Sequence, residues 1–276
     1  MFTREKKRFF YASIFVLIFL FLAGAFADFF FIPEPSCTDK KLNQNELYVD
    51  CGGVCPLCSP VVEARDVEIL ETAAVPVSLG KFDLVARIKN TNNLFGSGSF
   101  SYTFNLLDEQ KNIIRSVSDT TYILPAQERY LILLEVESIK EPSSVELIID
   151  TIAWEEFSEY ESPKLNVTNK SFEISSSGAN YAVAKGLVWN ESPYDFETIE
   201  IFVVLRDDAG KIIGVNRTDM QTVKAGEKRD FPVYWMNVIK EKVASIDILA
   251  ITNMFENQNF IKIFFPSGKF QDYEKK

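Results

Sequence analysis

The side chains with the most chemical character in this chain are four cysteines, Cys37, Cys51, Cys55 and Cys58, all within residues 37–58 of a 276-residue sequence. Two uses of such a cluster compete. Thiols that oxidise in pairs staple a segment too short to bury enough apolar surface to order itself. Four thiolates can instead close a tetrahedral zinc site, but zinc ribbons generally carry two Cys-x-x-Cys knuckles, and here only Cys55 and Cys58 have that spacing. Disulfides are therefore expected ahead of zinc, and a redox-active pair is the third use. Four cysteines allow three pairings, and spacing selects none of them. Between the cysteines lie Asp39, Asn43, Asn45, Glu46 and Asp50, oxygen ligands of the kind that hold calcium. Their spacing is not that of an EF-hand loop, and Asp and Asn are also the residues that build turns.

Elsewhere the possible chemistry is narrow. The sequence has 39 acidic and 29 basic side chains and no histidine. Ser-His-Asp and Cys-His nucleophile systems, HExxH zinc sites and imidazole acid–base catalysis are all excluded. Glu155 and Glu156, and Asp207 and Asp208, are adjacent carboxylates. Neighbours on a strand point to opposite faces, whereas glycoside hydrolysis needs two carboxyls about 5 to 10 Å apart across a substrate. A non-enzymatic protein without a cofactor is expected. The aromatics Trp154, Trp189, Trp235, Tyr181 and Tyr194 can form a platform for a sugar or a partner, although such rings in sandwiches commonly pack in the core. Trp189 occupies the position that Lys89 holds on an outward face, which makes it the candidate binding aromatic. Sequons stand at Asn166, Asn169, Asn190 and Asn216.

The elements that carry these residues begin with a basic tail, residues 1–8, containing Arg4, Lys6, Lys7 and Arg8. Residues 9–27 hold no charge, enough for a helix of about 28 Å at roughly 1.5 Å per residue. Residues 9–32 are read as a transmembrane signal-anchor that partners the bilayer, with the basic tail cytoplasmic and everything after it extracytoplasmic. Ala25, Phe26 and Ala27 also have the small-x-small form of a cleavage site, so removal after Ala27 is the alternative. Residues 1–32 carry four basic and two acidic side chains, so a chain of net charge −10 holds −12 beyond them. So acidic a body disfavours nucleic acid as a partner.

The rest of the chain is one unit written twice. Phe82 to Asn90 recurs as Ala182 to Asn190, and Tyr102, Phe104, Leu106 and Asp108 recur as Ile201, Val203, Leu205 and Asp207. Ile113 and Ile114 match Ile212 and Ile213, Ala126 to Arg129 match Ala225 to Lys228, and Leu147 and Ile149 match Ile246 and Ile248. Blocks repeating at one offset near 99 residues identify a tandem duplication. Within each copy the period is two. Phe82, Leu84, Ala86 and Ile88 alternate with Asp83, Val85, Arg87 and Lys89, and Ile199, Ile201, Val203 and Leu205 alternate with Glu200, Phe202, Val204 and Arg206. Turn residues at 108–112 and 208–211 precede paired isoleucines. This pattern predicts a mainly β fold with two tandem immunoglobulin-like β-sandwiches, and the only helical turn expected after residue 32 spans Trp235 to Val243.

Residues 37–58 resemble a recurrent motif of bacterial and archaeal surface proteins, C-x-D-x-x-x-N-x-x-E-x-x-x-D-C-G-G-x-C-x-x-C. Cys37, Asp39, Asn43, Glu46, Asp50, Cys51, Gly52, Gly53, Cys55 and Cys58 fill it. The repeats resemble the FxLYD-type family of small extracellular sandwiches through Asn90, Phe104, Leu106, Asp108 and Pro125 to Glu128, and through Asn190, Val203, Leu205, Asp207 and Lys224 to Glu227. Val203 replaces the family's aromatic, and Gln127 its glycine. The resemblance implies fold and extracytoplasmic setting, with no catalytic residues. The expected organisation is a cysteine-rich module at 33–60, a first sandwich at 61–157, a polar linker at 158–171 and a second sandwich at 172–276. The expected role is adhesion, scaffolding or envelope assembly with an envelope or surface-protein partner, the alternative being a sugar- or peptide-binding module.

Overall fold

The computed structural model describes residues 8, 10, 12–22, 37–43, 45–56, 63–157, 161–175 and 181–256. The chain divides into two compact units, Met1–Glu63 and Ala64–Lys276. In the first, residues 12–22 are helical and exposed. That stretch is about 16 Å long, and among the described residues no helix is long and apolar enough to cross a membrane. Half of the expected span at 9–32 lies outside the described residues. The described residues 37–43 and 45–56 are a chain of turns and bends with an isolated bridge between Tyr48 and Cys51.

The second unit is built of strands alone among its described residues. The first repeat comprises β1 (Glu68–Ser78), β2 (Lys81–Lys89), β3 (Phe95–Leu107), β4 (Ile113–Ile123), β5 (Glu128–Glu137), β6 (Ser144–Ile149) and the short β7 (Glu155–Glu156). The second comprises β8 (Leu165–Ile174), β9 (Ala182–Asn190), β10 (Phe196–Arg206), β11 (Ile212–Val223), β12 (Lys228–Trp235) and β13 (Ser245–Ile251). They form four antiparallel sheets, β1-β2-β5 and β4-β3-β6 from the first repeat, β11-β10-β13 and β12-β9-β8 from the second, with β7 paired to β3. No sheet mixes strands of the two repeats.

Alternation positions the cores as the sequence requires. In the first repeat Phe82, Leu84, Ala86 and Ile88 of β2 meet Phe104 and Leu106 of β3 and Leu147 of β6 in one buried cluster. Each of these side chains other than that of Ala86 stabilises by about 1.5 to 3 kcal/mol on burial. In the second repeat the buried cluster takes Ile199, Ile201, Val203 and Leu205 from β10, Ala184 and Val188 from β9, and Phe231 and Val233 from β12. That cluster does not stop at the repeat. It continues through Phe202 and Val204 into Val75, Val85, Tyr130 and Ile132 of the first repeat. The sheets β1-β2-β5 and β11-β10-β13 are thus buried on both faces, and the second unit is a stack of four sheets.

Two expectations are corrected. The segment 158–171, expected as a linker, is strand from Leu165 onward, because Leu165 and Val167 pack against the second core and β8 pairs with β9 on either side of a break in register between Thr168 and Ser171. Trp235 ends strand β12 instead of opening a helical turn, and residues 236–244 form a loop. The repeat offset also changes inside the chain. At the turn before β5 and β12 it is 100, not 99: Ala126 and Gly226 share a left-handed φ of 54° and 74°. Gln127 Oε1 accepts from Leu124 N at 3.0 Å, and Glu227 Oε2 from Lys224 N at 2.7 Å. Ala126 of the first repeat therefore stands where Gly226 stands in the second, with Arg129 matching Arg229.

Candidate functional site

The cysteine module is oxidised. Cys37 and Cys55 are joined by a disulfide of 2.03 Å, Cys51 is also disulfide-bonded, and Cys58 lies outside the described residues. Glu46 Oε1 sits 3.1 Å from Cys55 Sγ, and the ligand atoms of Cys37, Glu46 and Cys55 lie within 4.8 Å of one another. The two sulfurs are bonded to each other and are not thiolates, so this trio is no zinc site. Of the oxygens expected for calcium, those of the three carboxylates accept hydrogen bonds from within the module, while Asn43 Oδ1 is buried with no hydrogen-bond partner among the described residues. Asp39 Oδ1 accepts from Lys41 N at 2.9 Å and its Oδ2 from Asn43 Nδ2 at 2.9 Å. Both oxygens of Asp50 accept from Lys40 N, and Glu46 Oε2 accepts from the N–H of Asn43 and of Asp50. These carboxylates hold three successive turns in register, the work that Asp and Asn do in turns generally. Asn45 contributes a left-handed φ of 63°. Gly53 is required beside it, since a Cβ there would lie 2.0 Å from Asn45 O.

In the repeats the conserved geometry between copies is that of two buried asparagines. Asn90 Nδ2 donates to the carbonyls of Phe95 at 2.6 Å and Leu124 at 2.9 Å, and its Oδ1 accepts from Asn92 N at 3.0 Å. Asn190 Nδ2 donates to the carbonyls of Tyr194 at 2.7 Å and Lys224 at 3.1 Å, and its Oδ1 accepts from Ser192 N at 3.0 Å. Each amide pins the end of one strand to the turn before another. Their recurrence explains why Asn190, although in a sequon, is fully buried. Of the other sequons, Asn216 donates to Tyr234 O at 2.7 Å, while Asn166 and Asn169 are exposed on β8.

The candidate aromatics do not gather into one platform. Trp189 is half-buried on β9, opposite Lys228 of β12 and Asn166 of β8. The Lys228 ammonium lies 4.1 Å from its ring centroid, so one face is already taken by a cation. Trp235 is buried edge-to-face with Phe172. Trp154 packs on the first core, and Tyr181 and Tyr194 pack on the second. Glu155 and Glu156 sit side by side on β7, the former with its carboxyl raised by burial. Asp207 Oδ1 is engaged by the N–H of Ala209 and of Lys211 in a turn. Neither carboxylate pair converges on a common point.

The sequence reading missed a polar seam between the repeats. Arg129, 3% exposed, stacks over the Tyr122 ring at 4.3 Å, donates to Tyr122 O at 2.8 Å and lies 3.6 Å from Glu200 of the second repeat. Tyr122 donates its hydroxyl to Glu200 at 2.8 Å, and burial holds that phenol well above its ordinary range. At the C-terminal end of β10, Arg206 makes a two-pronged pair with Glu71, and Tyr130 donates to Asp247 at 3.0 Å. Burial pushes the Tyr130 phenol up to about 12. The available signal was the set of charges placed among apolar residues on the outward faces of β5 and β10.

Two hollows flank this seam. One of about 520 Å³ is polar, with Ser99, Thr120, Thr198, Glu197, Asp219 and Glu256 in its wall. The other, about 1100 Å³, is lined by the end of β1, the start of β11 and residues 138–141 and 234–241.

Comparison with known proteins adds little to this geometry. No protein-family model and no curated protein matches the chain. Among solved structures the chain is similar to red sea bream transglutaminase at 11% identity and a TM-score of 0.23, covering 70% of this chain. This chain spans only 30% of that protein's length, and a likeness so slight carries no argument about fold or activity.

Proposed function

We propose that the chain is a non-enzymatic, single-pass surface protein, with residues 9–32 as its anchor. The stapled module and two immunoglobulin-like sandwiches of FxLYD type form an adhesion, scaffold or envelope-assembly ectodomain. The observation that carries this reading is the oxidised cysteine module. Disulfides persist in extracytoplasmic compartments, where thiol reductants are scarce, and an apolar segment behind a basic tail is the route there. The fused stack of sheets supports a load-bearing or spacing role, because two repeats locked face to face present a fixed length. Membrane-extracted protein settles the reading by mass. The intact chain should be four hydrogens lighter than its reduced form and should begin at residue 1. Free thiols with one bound zinc, or purification from the cytosolic fraction, would overturn it.

A binding module is the second reading, favoured by the polar hollow at the repeat seam. Its wall of threonine hydroxyls and carboxylates suits a polyhydroxylated ligand. Glycan-array binding that is lost in Thr198→Val would support it, and a silent array would count against it.

A further inference from the structure

The larger hollow is bordered by the most exposed apolar side chains of the described strand unit. Leu79 and Ile139 are fully exposed at two neighbouring loop tips, joined by the hydrogen bond from Ser138 N to Gly80 O at 2.9 Å. Across the hollow Met236 and Val238 are 66% and 64% exposed. The loop that carries them is tied down where Tyr181 donates to Ile239 O at 3.2 Å. The two loops are the same loop in the two repeats. Ile139, Lys140 and Glu141 recur as Ile239, Lys240 and Glu241 at the offset of 100. Four aliphatic tips held out into solvent by a rigid scaffold mark a contact surface, since monomers rarely expose contiguous apolar patches of this kind.

We propose that this end of the stack is a self-docking surface, on which a second copy of the chain seats its Leu79 and Ile139 tips in the hollow about a two-fold axis. Three features of the surface select a second copy. Knobs and socket occur together in one patch, which is what an isologous interface needs, because each partner must offer both. The charges at the rim are mixed within each loop, Lys140 beside Glu141 and Lys240 beside Glu241, so a two-fold axis can set lysine against glutamate. The floor is already interface: Val75, Ile212, Ile213, Val215 and Trp235 line the hollow and belong to the apolar cluster that joins the repeats. Docking would extend that seam between chains. A bilayer is a poorer occupant, because the wall sets Asp83, Glu135, Glu141 and Glu241 against only Lys211 and Lys240, a net negative charge that anionic headgroups would repel. The inference stands whether or not residues 9–32 anchor the chain.

The test is the protein mass of the full chain in detergent by light scattering across a concentration series, with a tip variant, Leu79→Asp/Ile139→Asp, and a control at the polar hollow, Thr120→Asp. The expected result is a two-chain mass, twice 31.4 kDa, for the native chain and the control. The tip variant should dissociate at a concentration at least tenfold higher, and at dilutions where both chains are monomeric its melting temperature should equal the native one, because both side chains are solvent-exposed. A single-chain mass up to about 100 µM would overturn the proposal, since that limit leaves only weak association. A dimer indifferent to the tip variant would overturn it too, by placing the interface elsewhere. So would sedimentation of the native chain with vesicles of phosphatidylcholine and phosphatidylglycerol that the tip variant alone abolishes, which would make the surface a lipid contact.

Discussion

Asp83 offers a quantitative check on the packing of the first repeat. It lies on β2 at a break in register between Phe82 and Leu84, and is 7% exposed. On the facing strand Glu135 takes a φ of 54°, and its N–H donates to Asp83 Oδ1 at 2.8 Å. Burial pushes the Asp83 carboxyl up to about 6, more than the N–H of Glu135 lowers it, and the Glu135 carboxylate raises it further. The unfolded chain has the ordinary value near 3.8, so the native state binds the proton more tightly. The stability contributed by the protonated acid is therefore fully present below about pH 3.8 and is lost as pH rises through 6. A difference of about two pH units at 1.36 kcal/mol each amounts to about 3 kcal/mol at pH 7. Asp83→Asn keeps an oxygen for the Glu135 N–H and removes the titration. It should be more stable than the native chain by about 3 kcal/mol at pH 7 and by only about 0.5 kcal/mol at pH 4. Urea unfolding at the two pH values, followed by tryptophan fluorescence, reads this unit alone, because Trp154, Trp189 and Trp235 all lie within Ala64–Lys276. Equal midpoint shifts at both pH values, or a variant less stable at pH 7, would refute the burial argument. Asp83→Ala is the complementary case. It strands the N–H and should lose about 1 to 3 kcal/mol relative to Asp83→Asn at both pH values.

Asn190→Ala removes a buried amide that serves three carbonyls and one N–H, and should cost about 3 kcal/mol or more, read as a lower urea midpoint. Asn90→Ala should do the same, whereas Asn166→Ala on the exposed edge of β8 should stay within about 0.5 kcal/mol. Gly53→Ala would place a methyl 2.0 Å from Asn45 O on a backbone of φ 63°, so the module should fail to oxidise. Titration with a thiol reagent should then find free cysteine where the native chain has none, and quantitative oxidation of the variant would contradict the turn geometry.

The strands were legible because each core face carries a strict alternation, as in Phe82, Leu84, Ala86 and Ile88. Likewise, paired isoleucines after Asp-rich turns mark where β4 and β11 begin. The stacking of the repeats was not legible, for the same reason in reverse. Glu200 in the middle of β10 and Arg206 at its end made its second face read as solvated, although Phe202 and Val204 lie between them. Those charges are solvated by the other repeat, Glu200 through Tyr122 and Arg129 and Arg206 through Glu71. No local pattern encodes partners 71 or 135 positions apart. The calcium reading is of a different kind, since turn-building carboxylates and metal-ligating ones are the same residues in the same spacing.

A signal for the stack does exist in the sequence, in the differences between the copies instead of their likeness. Val85, Tyr130 and Ile132 on the face that meets the second repeat correspond to Lys185, Asp230 and Pro232 on the second repeat's own outer face, all exposed. Glu200, Phe202 and Val204 correspond to Ser101, Thr103 and Asn105 on the first repeat's outer face. There Thr103 and Asn105 bond the hydroxyls of Ser118 and Ser116. Each copy thus has one apolar face and one polar face on opposite sheets, and the apolar faces are turned toward each other. An array of like repeats would continue from either end, but this pair is capped at both, the device by which solenoids stop growing. With both broad faces closed to further stacking, the uncovered apolar surface of the stack falls at its ends. That is why the loop tips at Leu79, Ile139, Met236 and Val238, and not a sheet face, are where association with another chain should be sought.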